Sequence, residues 1–551
     1  MERHVSAGLD VPRKPNDRVR LSWLAALGVA VGCSAWVAGI DPTELVNPRG
    51  WSQVRSFFGA MFRPDLSPNI LELTVRESAV TIGYALVGTA LALVIGSVGG
   101  ILLSERLWSS GHRPMGRGRI GWLGAKLAFV VPRSMHEIVF GLILVNILGL
   151  NPLVAVFSIG IPFGAVTAKV FAELLDEVPK GPELNLRATG AGRITALLVA
   201  TVPHALNDLL SYAFYRFECS LRSAAVLGIV GAGGLGFQLA LSFQSLRYDQ
   251  MWTFLWALIF LSGVADWWSS SVRRRRRMAA VEVGMNSWRP AGDRFLRLSA
   301  LVCAVGVPVA IWRLNLDLST LWAPRARSLA GGLLADAWPP QVGPGGIAEL
   351  VEDSLHTVAL AILSIALAVV VGSPLAFVAQ RPGPGQQKAR FRRLCSRLTR
   401  FAMLVSRSVP PPVWAFVVVF VLFPGLWPAV VALGIYNAGI LGRLQAEVLE
   451  NRDRRPNEEL RAMGASAPGT LLYSTMPAVA GRFTALSLYR WEVVVRETVI
   501  LVVVGAAGLG RRLSEQTSSF DYDGVLATIV ALLLVTVLVD LVSSWIRRSL
   551  R

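Results

Sequence analysis

Long apolar runs alternate with short polar, mostly basic ones along the chain. The apolar runs are Leu21–Ile40, Ser78–Leu103, Leu127–Leu150, Pro152–Ala172, Met251–Trp268, Ala300–Trp312, Ser354–Ala379, Ala402–Pro424, Ala429–Leu444 and Gly524–Trp545. Most reach or approach the ~20 residues that a helix needs to cross a bilayer. The pattern predicts an all-α polytopic membrane protein. The intervening basic segments are Arg3–Arg20, Arg106–Lys126, Arg273–Arg277, Arg381–Arg400 and Arg547–Arg551. Placing all of them on the cytoplasmic side, as basic loops prefer, requires one further helix after each of two segments rich in both signs. The count is then about twelve spans with both termini cytoplasmic. The first apolar run has basic flanks but no small-residue cleavage site, and is not expected to be a removable signal.

Composition narrows the classes. Of 551 residues only 16% are charged and 53% are hydrophobic, against roughly 25% charged in soluble domains. The net charge of +18 would suggest nucleic acid in a soluble protein; here the basic loops account for it, and no nucleic-acid partner is expected. Cys33, Cys219, Cys303 and Cys395 have no metal or redox spacing, and His136-Glu137 lacks the second histidine of a zinc helix. No metal site, no bound cofactor and no catalytic constellation is expected.

The chain is written twice. "LRATGA" at 186, "YRFECSLR" at 215 and "GAGGLG" at 231 return as "LRAMGA", "YRWEVVVR" and "GAAGLG", each 274 positions later, with no gap from Arg133 to Gln250. Upstream, "ESAVT" at 77 matches "DSLHT" at 353 after a two-residue change of offset. The expected domains are residues 1–277 and 278–551, with cores at 71–268 and 348–545 and a cytoplasmic connector at 273–297. Parallel duplication in a membrane chain implies a pseudo-two-fold axis along the membrane normal, with a path for substrate between the halves.

Two segments, 172–205 and 446–479, are too charged to cross a bilayer. Each carries a glutamate (Glu173, Glu447), a proline (Pro182, Pro456) and a short amphipathic helix containing Arg187 or Arg461. The helix closes at Gly190 or Gly464, where glycine suits the left-handed turn that ends a helix. A second proline follows at Pro203 or Pro477. This pattern resembles the E-A-A loop of ABC-importer permeases, although "ELL" and "EVL" stand where that family has two alanines. The stretch "LRATGA…YRFE…LRSAAVLGIVGAGGLG" is most similar to the phosphonate-type subfamily, with two permease domains fused in one chain. The resemblance implies an all-α permease fold in the bacterial plasma membrane, and coupling helices that seat in an ATPase subunit. It implies as partners two copies of that ATPase, which bind the ATP and Mg, an extracytoplasmic substrate-binding protein, and membrane lipid. No G-x-x-x-x-G-K-[ST] occurs in the chain itself. Residues Asp41–Pro68 and Asn315–Gly346 are candidate extracellular docking segments.

Charged residues inside the spans mark the candidate path. Glu218 and Arg222 share a helix face, as do Glu492 and Arg496; Arg216 and Arg490 lie on another. Placed about 22 Å along the helix from Pro203, Glu218 is expected deep in the membrane or toward its outer face. Arginines at this depth would attract a phosphonate or phosphate oxyanion. Arg133 and Arg407 are expected to snorkel to the cytoplasmic interface. Gly231, Gly233 and Gly236 spell a dinucleotide fingerprint, but the second copy replaces Gly233 with Ala507. It keeps Gly231, Gly234 and Gly236 as Gly505, Gly508 and Gly510, so the expected element is a paired reversal near the outer gate. Methionine- or osmoprotectant-type import fits the same motifs. An ion-coupled secondary transporter fits the duplication but has no ATPase to receive the coupling helices.

Overall fold

The computed structural model describes residues 17–39, 46–108, 118–282, 294–343, 345–381, 390–453 and 455–549. The N-terminal basic segment up to residue 16, residues 109–117 and 382–389 of two further basic segments, residues 550–551 of the C-terminal one, residues 40–45 of the first candidate docking segment and 283–293 of the connector lie outside them. Among the described residues every regular element is helical, apart from one antiparallel bridge between Val46 and Leu422.

The first repeat runs α1 (Asp17–Val37), α2 (Pro68–Leu103), α3 (Gly118–Ser134), α4 (Glu137–Leu148), α5 (Pro152–Glu177), α6 (Gly181–Ala188), α7 (Val202–Leu227), α8 (Gly234–Gln244) and α9 (Tyr248–Glu282). The second runs α10 (Arg294–Arg313), α11 (Gly346–Ala379), α12 (Arg390–Ser408), α13 (Pro411–Val421), α14 (Leu426–Glu450), α15 (Arg455–Ala462), α16 (Met476–Glu497), α17 (Leu509–Ser518) and α18 (Tyr522–Ser549). The order of elements is the same in both.

Eight described helices are long and apolar enough to cross a membrane, and up to ten if each of two bent pairs is one span. The other two expected spans are helical but fall short. In α1 the apolar part is Ala25–Val37, and α16 carries Arg482, Arg490, Glu492, Arg496 and Glu497. The runs Leu127–Leu150 and Ala402–Pro424, which read as continuous, are broken instead. The α3–α4 pair bends by 85° and the α12–α13 pair by 95°. His136 caps α4 with its side chain, and Pro410 to Pro412 prevent α12 from continuing.

Each repeat is built on one close helix pair, α2 on α5 and α11 on α14. Small residues allow the approach. A Cβ on Gly88 would come within 2.8 Å of Ile159, and one on Gly372 within 2.8 Å of the Ala438 carbonyl. The first helices are exchanged: α1 packs on α11 of the second repeat, and α10 packs on α2 of the first. Outward-facing Val94, Val98, Val370, Leu534, Leu538 and Leu541 are exposed, a surface suited to hydrocarbon.

Candidate functional site

The two repeats meet around a cavity of about 510 Å³, lined by α4, α5, α7 and α9 of the first and α12, α13, α14 and α16 of the second. Seven arginines line it (Arg216, Arg222, Arg273, Arg407, Arg443, Arg490, Arg496) against five carboxylates (Glu137, Asp208, Glu218, Glu447, Glu497). Burying such groups in a membrane protein is costly unless they pair or face a polar space, so their partners define the site.

Glu218 is the hub. It is 4% exposed and one carboxylate oxygen accepts from Arg407 at 2.8 Å and from Arg222 and Arg443 at 3.5 Å. Arg407 also reaches Asp266 at 2.9 Å, and Arg443 pairs with the same aspartate. The clamp thus ties α7 and α9 of one repeat to α12 and α14 of the other. The expected Glu218–Arg222 pair is present, but as the weaker part of a five-residue cross-repeat network in which Glu218 and Asp266 share Arg407 and Arg443. Arg443 lies seven residues before the end of α14, which puts Glu218 toward the α6 and α15 end of the bundle rather than at its far end. The distance from Pro203 misleads because the helical run Arg193–Ala232 is 40 residues long, about 60 Å at 1.5 Å per residue, twice a bilayer core.

Two further expectations are corrected. Arg407 does not snorkel; it is 6% exposed because the sharp bend after Ser408 turns it inward onto Glu218. Its counterpart Arg133 is half-buried against Asp540 at 3.8 Å. The pair Glu492–Arg496 does not repeat the first copy. Glu492 bonds Arg547 at 2.6 Å, while Arg496 donates to the Arg133 carbonyl at 2.9 Å and to the Glu492 carbonyl at 3.4 Å. Arg547 competes successfully because α18 presents it beside Glu492 with Ser543 and Ser544 as further acceptors.

Arg490 is held through its Nε and Nη2. It bonds Asn437 and Glu497, the latter at 2.9 Å. Arg216, its equivalent, donates from Nε and Nη2 to the Tyr212 hydroxyl at 3.0 and 2.6 Å and lies 4.8 Å from the Phe163 ring centre. Ser223 donates to Glu137 at 2.5 Å, and His136 lies 3.2 Å from the same carboxylate.

The glycine loops sit at the opposite end from α6 and α15. Gly231, Gly233 and Gly234 have φ of 107°, 90° and 75°; Gly505 and Gly508 have 72° and 117°. Each loop reverses the chain into α8 or α17. Gly234 N–H donates to Glu77 at 3.1 Å, Leu235 N–H to Thr81 at 2.9 Å, and the Ala232 carbonyl accepts from Tyr84 at 2.8 Å. In the second copy Leu509 N–H donates to Thr357 at 2.9 Å, and Arg512 pairs with Asp353 at 3.2 Å. A Cβ on Gly236 would lie 1.8 Å from the Ala225 carbonyl oxygen. Gly510 is buried at the equivalent place. Among the described residues no sheet supports the loop, so the nucleotide fingerprint has no physical basis here.

At the other end, α6 and α15 carry Pro182 and Pro456 as their second residues and close at Gly190 (φ 94°) and Gly464 (φ 84°). Arg187 bonds Glu183 at 2.6 Å and the Arg106 carbonyl at 2.9 Å. Arg106, 3% exposed, pairs with Glu183 at 2.7 Å and also donates to the Val178 carbonyl. It anchors the helix to the bundle, a role the sequence pattern does not reveal. In the second copy Asn457 replaces Glu183 and bonds Arg452 at 3.1 Å and Thr475 at 3.2 Å. Arg461 stands in the last turn of α15. Glu173 and Glu447 lie on α5 and α14, before these helices; Glu173 is mostly exposed beside Lys169, and Glu447 bonds Arg443 at 3.2 Å and lines the cavity.

Comparison with known proteins finds the same duplication. The family model for the binding-protein-dependent transport system inner membrane component matches twice, at residues 108–278 and 369–551. The phosphate-import permease protein PhnE of Mycolicibacterium smegmatis is 27% identical over 94% of this chain and 92% of its own length. The phosphite transport system permease protein PtxC of Stutzerimonas stutzeri is 31% identical over 49% of this chain and 92% of its own. A chain of the MetNI methionine ABC transporter, in an inward facing structure, is 22% identical with a TM-score of 0.33, covering 38% of this chain and 99% of that one. With both matched segments falling on the two repeats, the chain belongs to the family of binding-protein-dependent transport system inner membrane components.

Proposed function

We propose that the chain is the membrane subunit of an ATP-driven importer for phosphorus oxyanions, with the cavity between the repeats as its path. The observation that carries this reading is the excess of arginine over carboxylate in that cavity. Guanidinium groups match tetrahedral oxyanions in geometry and charge. The relatives named for phosphate and phosphite transport support the same substrate class.

The chain sits in the bacterial inner membrane with both termini cytoplasmic. Two copies of a separate ATPase bind ATP and Mg and seat on α6 and α15 through Pro182, Arg187, Gly190, Pro456, Arg461 and Gly464. Closure of that ATPase pair draws the two helices together and opens the path at the other end, where Gly231, Gly234, Gly236, Gly505, Gly508 and Gly510 form the outer gate. There a binding protein delivers substrate. Reopening returns the cavity to the inside.

The test is ATP-dependent accumulation in vesicles holding this chain, its ATPase and its binding protein. Inorganic phosphate, phosphite and methylphosphonate should accumulate, and methionine and betaine should not. Accumulation of only the latter, or uptake on an ion gradient without the ATPase, overturns the reading.

A further inference from the structure

The two halves of the cavity differ most at one place. In the second repeat Arg490 is locked by Glu497 and Asn437. In the first repeat the positions 274 residues earlier are Ser223 and Phe163, and Leu486 of the second repeat is replaced by Tyr212. Arg216 thereby loses the carboxylate and the amide oxygen that hold its counterpart, and gains two aromatic rings and one phenol. It is 7% exposed and lines the cavity. Among the described residues no carboxylate lies within ion-pair distance of it; its Nε and Nη2 donate only to the Tyr212 hydroxyl. Glu137, the nearby buried acid that Ser223 serves, is taken up by Ser223 and His136. The other cavity arginines without a carboxylate are engaged elsewhere: Arg496 donates to two main-chain carbonyls, and Arg273 donates to the Ser269 and Ser270 hydroxyls of its own helix.

We infer that the path has a one-sided oxyanion seat built on Arg216, with Phe163 and Tyr212 orienting its guanidinium, and that Arg490 is a structural brace. This rests on the transport reading above. A buried guanidinium held only by a neutral phenol and ring faces retains its full demand for a counter-ion. A phosphate-type anion entering the cavity supplies it and leaves again without having to displace a resident carboxylate. At Arg490 the same anion would have to displace Glu497.

The test uses the same three-component vesicles, with inorganic phosphate, phosphite and methylphosphonate as probes. Arg216→Gln should lower ATP-dependent accumulation by about thirtyfold or more, with the ATPase still co-purifying, and Arg216→Lys should restore part of it. The double variant Phe163→Asn with Ser223→Glu, which gives Arg216 the partners that Arg490 has, should block accumulation although every arginine is present. Arg490→Gln should instead lower the heat stability of the complex. Wild-type accumulation by either Arg216→Gln or the double variant overturns the one-sided seat and leaves the transport reading standing. Should Arg216→Gln fail to assemble, the double variant alone decides. Wild-type vesicles that accumulate none of the three probes overturn the transport reading itself.

Discussion

Replacing Glu218 by glutamine removes one charge and almost no volume, so it isolates the worth of the cross-repeat clamp. The carboxylate meets Arg407 at 2.8 Å and Arg222 and Arg443 at 3.5 Å. At an effective dielectric constant of about 20, a pair at the shorter distance attracts by about 6 kcal/mol before desolvation. Breaking a buried pair by deleting one partner costs about 3–5 kcal/mol. Arg407 and Arg443 keep Asp266, which places the expected loss near the bottom of that range, about 3 kcal/mol. Glu492 offers an internal control. Among the described residues it has Arg547 as its single ion-pair partner, and that arginine's side chain is 27% exposed, so Glu492→Gln should cost about 1–2 kcal/mol. The assay is thermal unfolding of the purified chain in detergent, comparing both variants with the wild type. Glu218→Gln should lower the midpoint more than Glu492→Gln. A cycle with Arg407→Gln should give a coupling of about 1–3 kcal/mol between Glu218 and Arg407. Equal midpoints for the two glutamate variants, or additive effects in the cycle, would refute the clamp.

Gly236→Ala places a Cβ 1.8 Å from a main-chain oxygen that cannot move aside; it should abolish accumulation of folded chain, checked by the monodisperse fraction in detergent. Arg106→Gln removes the buried partner of Glu183; it should weaken retention of the ATPase subunit on affinity purification or uncouple ATP hydrolysis from transport, while the midpoint of thermal unfolding falls by only a few degrees. Gly234→Leu combined with Gly508→Leu drives side chains toward Thr81 and Thr357, each 2.7 Å from the Cβ position. Transport should stop with ATPase binding intact; unimpaired uptake would remove the gate assignment.

The parts of the fold that were legible in the sequence are those set by local chemistry or by the repeat. The short helices α6 and α15 carry prolines in their first turns and close at Gly190 and Gly464 because these residue types favour those backbone conformations wherever they occur. The glycine loops were legible because two copies exposed which glycines are kept. Partners of buried charges were not. The rule that residues four apart share a helix face finds Glu218–Arg222, but Arg407 is 189 residues from Glu218, and no local pattern joins them. One signal was available: Asp266 and Arg407 recur as Asp540 and Arg133 at the 274-residue offset. Charged residues kept twice inside apolar helices suggest a tertiary bond rather than an interfacial anchor. The bends were half legible. Three consecutive prolines mark the second, whereas the first turns on His136 capping a new helix, which hydropathy cannot register.

A single chain carrying both repeats permits what two identical subunits cannot. Near a two-fold axis, identical copies place like charges opposite each other, and every compensation must be made symmetrically. Here Glu218 serves arginines of both repeats, while Glu492 turns outward to Arg547. Glu497 neutralises Arg490, while Ser223 leaves Arg216 open. Lys169 stands in the first repeat where Arg443 completes the clamp in the second. Each difference moves charge from a symmetric to a one-sided arrangement, and together they close the cavity across one repeat boundary while leaving a cation exposed within it. Divergence after duplication lets one repeat hold the anion and the other hold the frame.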